Sequence, residues 1–192
     1  EKIVTLANKL SEIRKEKIGS FGSDDYIEYS IRDGKTPILM EYSKDTLEKA
    51  LKMSETNAKF VVIVPDDETA MELKGLNKNA MVRTVTDIKG LEYKYIVTVN
   101  IVTNNLKFLN RENRNSARHH FNYFYVAITR AIDELYIIEE NQENFLIKEI
   151  EGFVEKTQDF PTDVEEIKST RSEWSKEAKR LEGMGLFLDA AL

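Results

Sequence analysis

The chain contains no cysteine, which excludes a disulfide frame, a thiolate zinc site and a cysteine nucleophile. Its only two histidines, His119 and His120, are adjacent, so a multi-histidine metal site is not expected. No apolar run approaches the roughly 18 residues that suggest a membrane-spanning helix. The first residues, Glu1-Lys2-Ile3-Val4, lack the pattern of a secretory signal. No membrane partner is expected, and a reducing, cytoplasmic setting is. What is present is ordinary for one globular domain: 192 residues, 41% hydrophobic and 32% charged, enough apolar mass for one core.

The net charge of −6 argues against a uniformly basic nucleic-acid binder, but it is unevenly spread. Residues 1–78 carry a net −2, residues 79–130 a net +5 and residues 131–192 a net −9. A phosphate-bearing ligand would be drawn to the middle stretch. A chance excess on a solvated face gives the same arithmetic.

Hydrophobic periodicity divides the chain into alternating helices and strands. Ile3, Leu6, Ala7, Leu10 and Ile13 share one helical face, and the helix should end near Gly19. Residues 20–36 read as a loop. Ile38 to Tyr42 is a short strand, and Ser43 can cap the helix that buries Leu47, Ala50 and Leu51. Phe60 to Val64 is apolar without alternation, as expected of a strand covered on both faces. Asp66 or Asp67 caps a helix expected to stop at Gly75. Further strands are expected over Met81–Val85, Tyr95–Val102 and Leu135–Ile138, with a helix from about Asn113 to Ala131. Pro161 marks a break, and Thr162 with Glu165 is read as a capping box opening an acidic helical tail. The alternation implies an α/β fold: a mostly parallel sheet with helices on both faces, plus the tail. Ligands of such sheets gather at the carboxyl ends of strands, and the segment after Met81 and the helix leading into Leu135 are both expected there.

Three segments could carry chemistry. Gly34-Lys35-Thr36 looks like the end of a phosphate-binding loop, but Tyr29 stands where that loop needs its first glycine and Pro37 with a strand follows where it needs a helix; a simple turn is expected. Thr84-Val85-Thr86-Asp87-Ile88-Lys89-Gly90-Leu91-Glu92 leaves a strand and enters a glycine-bearing turn. Its hydroxyls, amides and lysine suit phosphate oxygens, and Glu92 could accept from a sugar hydroxyl; a capped turn with a solvated Lys89–Glu92 pair is the plain alternative. Tyr125-Val126-Ala127-Ile128-Thr129-Arg130-Ala131 places one arginine at the end of an apolar helix, where it needs an anionic partner or acts as a structural ion pair or a snorkelling head.

In that order, the second and third segments resemble motifs V and VI of superfamily 1 helicases of the UvrD/Rep type, the latter through Tyr125 to Ala131. The resemblance covers about residues 1–140. It implies a RecA-like (P-loop NTPase-type) fold over 1–160, the second such domain of an ATP-driven motor, with 161–192 as a tail. It implies that Arg130 acts as the arginine finger to the γ-phosphate. Gly90 and Glu92, with Lys89, match nucleotide-side positions, Glu92 at the ribose. Thr84 and Thr86 match positions that meet a single-strand backbone. ATP with Mg2+ is the implied cofactor, the metal being held by an N-terminal RecA-like domain, and single-stranded DNA or RNA is the implied partner.

The sequence also departs from the family pattern. Thr86 stands where relatives often have histidine, and Asp87 where they have a small residue. His119-His120-Phe121-Asn122 replaces a stretch with acids and arginines, and Pro65-Asp66-Asp67 replaces an arginine and a hydroxyl. No P-loop and no magnesium-binding Asp-Glu pair is found, and motif IV would lie just before Glu1, so the chain is read as beginning after it and as inactive alone. Only about five residues separate Gly75 from Met81, where many relatives insert a large 2B subdomain. Trp174, Ala178, Leu181, Gly185 and Ala190 loosely resemble a tetratricopeptide-type helix; packing of Trp174 on the domain explains the same pattern. The acidic tail leaves open a different class of function, an interaction module that remodels a protein partner such as RNA polymerase.

Overall fold

The computed structural model describes residues 1–20, 27–30, 34–105 and 114–185. Strands β1 (Ile38–Glu41), β2 (Phe60–Val64), β3 (Val82–Thr84), β4 (Tyr93–Val99), β5 (Ala131–Glu139) and β6 (Glu155–Thr157) form one sheet in the order β3-β2-β4-β5-β1-β6. Every pairing is parallel. Parallel strands need crossover connections, and those place helices on both faces.

The alternate side chains of β2 show how the two faces are filled. Val61 and Ile63 join a core with Leu39, Ile96, Leu135 and Ile137. Helices α1 (Lys2–Ile18), α5 (Arg114–Ile128) and α6 (Phe145–Ile150) cover that core. Phe60, Val62 and Val64 join the opposite core with Met40, Val97, Tyr136 and Ile138, under α2 (Lys44–Thr56) and α3 (Asp67–Leu76). All five β2 side chains are buried, which is why the run carries no polar alternation.

Local signals set most boundaries. Gly19 ends α1 at φ 90°, and its amide donates to the Lys15 carbonyl. Ser43 Oγ accepts from the Thr46 amide at 3.1 Å, and Asp66 Oδ1 from that of Thr69 at 2.9 Å. Such caps satisfy amides that the first helical turn leaves open.

Several boundaries differ from the sequence expectation. Helix α3 runs through Gly75 to Leu76. The β-branched run after Tyr95 does not stay extended: β4 stops at Val99, Asn100 turns at φ 51°, and Ile101–Asn105 forms a short helix, α4. Burial is equal on both sides of that turn, so hydrophobicity could not reveal it. Helix α5 ends at Ile128, and Ala131 belongs to β5; Asn113 lies outside the described residues. Pro161, which has no side-chain acceptor, occupies the cap position of the single turn α7 (Thr162–Glu165). The capping box forms instead at Thr170 and Glu173, opening α8 (Arg171–Gly183).

The tail is docked. Val164 and Leu181 are buried in the two cores, and Trp174 packs against the first. Lys59 pairs with Glu173 at 2.6 Å. Trp174 therefore serves packing; Ala190 lies outside the described residues. No helix among the described residues is long and apolar enough to cross a membrane.

Candidate nucleotide edge and strand track

Lys35, in the loop before β1, pairs with Glu134 at 2.8 Å and approaches Asp163 at 3.7 Å. Glu134 in turn accepts from the buried Tyr136 hydroxyl. The Gly34-Lys35-Thr36 segment is thus a structural turn whose lysine is held by carboxylates.

The segment from Thr84 to Glu92 folds back across the sheet. Thr84 stands at the carboxyl end of β3, level with Val64. The next eight residues return to Tyr93, the first residue of β4. Val85, Ile88 and Leu91 are buried and fix this path against the α5-side core, while Thr86, Asp87, Lys89, Gly90 and Glu92 are exposed. Two short bonds shape the turn: the Ile88 amide donates to the Thr84 carbonyl at 3.1 Å, and that of Leu91 to the Ile88 carbonyl at 3.0 Å. Gly90 takes φ 87°, a left-handed conformation costly for a residue with Cβ.

Thr84 is only 4% exposed, and its Oγ1 accepts from the Asp87 amide at 3.2 Å. The hydroxyl is committed to holding the turn. Thr86 is the exposed hydroxyl, and its Oγ1 lies 3.5 Å from the Tyr123 hydroxyl on α5.

Arg130 stands immediately before β5. The carboxyl-end expectation for this residue is therefore corrected: a helix leading into a strand delivers its last residues to the strand's amino end. The first residue of β4, Tyr93, is paired with Ala131, and the Tyr93 amide donates to the Arg130 carbonyl at 3.0 Å. The sheet thus brings Gly90, Glu92 and Arg130 to one edge, at the amino ends of β4 and β5. Thr84 is left at the opposite end of its strand.

The Thr129–Arg130 pair closes α5. Thr129 Oγ1 donates to the Tyr125 carbonyl at 2.9 Å, and Arg130 Nε donates to the Val126 carbonyl at 3.2 Å. The Tyr125 carbonyl also accepts from the Thr129 amide at 3.1 Å, and a cation suits a helix C-terminus. Arg130 Nη2 also donates to Thr129 Oγ1 at 3.3 Å. The guanidinium is half-buried and has no carboxylate partner among the described residues. It is positioned by its own helix end, with donors to spare.

Neighbouring groups hold this region. Arg14 on α1 donates from Nη1 to Asn122 Oδ1 at 3.0 Å, so Asn122, in the divergent stretch before motif VI, ties α1 to α5. Arg180 on α8 lies 4.8 Å over the Tyr93 ring and forms two bonds to Glu177, at 2.7 and 2.8 Å. Burial, with Glu177 beside it, pushes the Tyr93 hydroxyl up to about 12. The spacing of Trp174 and Leu181 pointed to the tail's packing, but nothing in it pointed to Arg180 stacking on β4.

One buried acid was not anticipated. Glu139 ends β5 with no exposure and accepts from the Val102 and Thr103 amides at 2.9 and 2.8 Å. Desolvation raises its carboxyl to about 7 despite those bonds. An acid directly after an apolar strand was the available signal.

A doubly wound, all-parallel sheet with an arginine closing the helix before β5 defines the class: a RecA-like α/β domain. The family model for the UvrD-like helicase C-terminal domain matches residues 6–142, more than half the chain, and this chain belongs to that family. The C-terminal domain of a possible DNA helicase from Lactobacillus plantarum is a similar solved structure, with a TM-score of 0.47 and 13% identity over 77% of this chain and 94% of that one. No curated protein matches.

Proposed function

We propose that this domain supplies the arginine finger and part of the single-strand track of an ATP-dependent superfamily 1 helicase or translocase. Residues 1–160 would be the RecA-like domain and 161–192 its tail, docked through Val164, Trp174 and Leu181. The observation that carries the reading is the convergence of Arg130, Gly90 and Glu92 at one sheet edge, joined by the Arg130–Tyr93 backbone bond. The carboxyl-end rule concerns a domain that holds its own ligand. A finger offered to a nucleotide held by another domain is free of that rule.

The residues present fit one wall of an ATP site. Arg130 can reach an anion, because no carboxylate neutralises it among the described residues, and exposed Glu92 can accept from a ribose hydroxyl. Lys89 is exposed at the same turn. Bound ATP with Mg2+ would supply the reacting phosphoryl group and the metal's charge neutralisation, and the metal's ligands belong to the N-terminal domain. Arg130 would stabilise charge developing on the phosphoryl oxygens, an effect worth roughly 10³ to 10⁵ in rate.

At the start of the same turn, the exposed Thr86 hydroxyl and nearby amides are suited to a DNA or RNA backbone. Thr84 supports this track indirectly by holding the turn that presents Thr86.

The test is Arg130→Ala in the helicase that carries this domain. A fall in kcat of about 10³ with little change in nucleotide affinity is expected. Activity within about threefold of wild type would refute the finger.

A further inference from the structure

The sheet gives the first residue of β4 little support on its β2 side. The ladder between those strands begins only at Tyr95, which pairs with Phe60 and whose amide donates to the Lys59 carbonyl at 3.0 Å. The ladder to β5 is irregular at the same place. Tyr93 pairs with Ala131 and Tyr95 with Glu134, so three steps along β5 answer two along β4. A bulge of this kind bends the strand and re-aims the residues beside it. Beyond the bond from its amide to the Arg130 carbonyl, Tyr93 is placed by its ring, which is 2% exposed and belongs to the α5-side core.

The tail covers that ring. Arg180 stacks over it at 4.8 Å, and α8 is anchored on either side of the contact. Its first turn is tied through Glu173 to Lys59, the residue before β2, and Leu181 is buried in the same core as Tyr93. Glu177 takes both bonds of the Arg180 fork, which fixes the plane of the guanidinium. A cation held over a ring and partly withdrawn from water is attracted to it more strongly than one in solvent, and Arg180 is part-buried. Glu92, the residue before Tyr93, is exposed. Its carboxylate has no hydrogen bond or ion pair among the described residues, so its direction follows from the backbone it shares with Tyr93.

We infer that Arg180, clamped by Glu177, is a positioning residue that acts through Tyr93 to aim Glu92 at the ribose of the nucleotide. This rests on the reading of Glu92 as a ribose contact given above. The tail helix thereby becomes part of the nucleotide edge without touching the nucleotide. Arg130 does not need the same help, because its guanidinium is held by its own helix end. The effect of Arg180 therefore falls on nucleotide binding and spares the chemical step.

The experiment is steady-state ATP hydrolysis by the full helicase, with a single-strand titration beside it. Arg180→Ala should raise KM for ATP by about two- to tenfold, the range for one partly desolvated cation–π contact. Its kcat should stay within about twofold of wild type, the pattern of a lost ground-state contact. Glu177→Gln releases the guanidinium at little change in volume; it should raise KM in the same direction and guards against a folding defect in Arg180→Ala. In a Glu92→Ala background, Arg180→Ala should add nothing further to KM, since residues that act through one contact are not additive. Strand affinity should be unchanged in the Arg180 and Glu177 variants. An unchanged KM in both, with Glu92→Ala raising it, overturns the positioning role and leaves the ribose contact standing. A rise in KM that persists in full in the Glu92→Ala background places the action of Arg180 elsewhere and overturns the role too. A joint loss of nucleotide affinity, kcat and strand affinity marks a general structural defect and also overturns it. A normal KM in Glu92→Ala overturns the ribose contact itself, and this role with it.

Discussion

The Tyr93 amide donates to the Arg130 carbonyl at 3.0 Å, so the exit of motif V and the exit of motif VI are fastened to one another by main chain. The bond is part of the sheet's own pairing and requires no side chain from either residue. Because it joins the first residue of β4 to the residue before β5, it holds the Arg130 backbone at a fixed place beside the entry to β4, as the proposed nucleotide edge requires.

The isolated chain is expected not to hydrolyse ATP. Its sequence has no P-loop, and no cluster of three or more potential metal ligands occurs among the described residues. A coupled ATPase assay on repurified protein checks this. Turnover that disappears on mutation of a residue in this chain would contradict it.

The two motif V threonines should separate by role. Thr84→Ala removes a buried cap from the Asp87 amide and should cost about 1 kcal/mol of stability. Thr86→Ala should leave stability nearly unchanged but weaken single-strand binding equally across sequences, since backbone contacts carry no base code. Affinity for the strand should fall with salt by a log–log slope of about −0.7 per phosphate contact. Denaturant midpoints together with titrations at two salt concentrations distinguish the variants. The assignment fails if Thr84→Ala is as stable as wild type.

Gly90→Ala should destabilise the domain by about 1 kcal/mol or somewhat more. An added Cβ meets nothing within 4 Å, so the cost is the left-handed backbone at φ 87° and not a clash. Gly75→Ala is the contrasting control. It also meets nothing within 4 Å, lies inside α3, and should be stabilising by up to about 1 kcal/mol. Equal midpoints for the two variants would contradict the assignment.

Glu139 should make stability depend on pH. Its carboxyl is raised from 4.5 to about 7 in the folded protein, so between those values the folded state holds a proton that the unfolded state has released. Its contribution therefore favours folding at the acid end, and that stabilisation declines as pH rises from about 4.5 to 7, then levels off. His120, lowered by burial and by its neighbour His119, acts in the opposite sense, so the comparison must be with Glu139→Gln. The difference in melting temperature between wild type and Glu139→Gln should shift in favour of wild type as pH is lowered from 7.5 to about 5. A difference that is constant with pH would show that Glu139 does not titrate there.

The order of elements was legible in the sequence because local forces set it. Ser43 and Asp66 announce helices through side chains that reach amides three residues on. The Phe60–Val64 run announces a strand buried on both faces because a fully apolar segment of that length cannot lie at a surface. The family was legible as well, through Thr84–Glu92 and Tyr125–Ala131, since motif spacing is a property of the chain. Tertiary structure alone decided where those residues stand. The strand order β3-β2-β4-β5-β1-β6 joins segments distant in sequence, and long-range pairing leaves no local mark. It set Tyr93 beside Arg130, withdrew the Thr84 hydroxyl into a turn, set Tyr123 against Thr86 and buried Glu139 beneath the start of α4. Each outcome depends on which neighbour the fold brings within hydrogen-bond distance, and periodicity along a single chain does not carry that information.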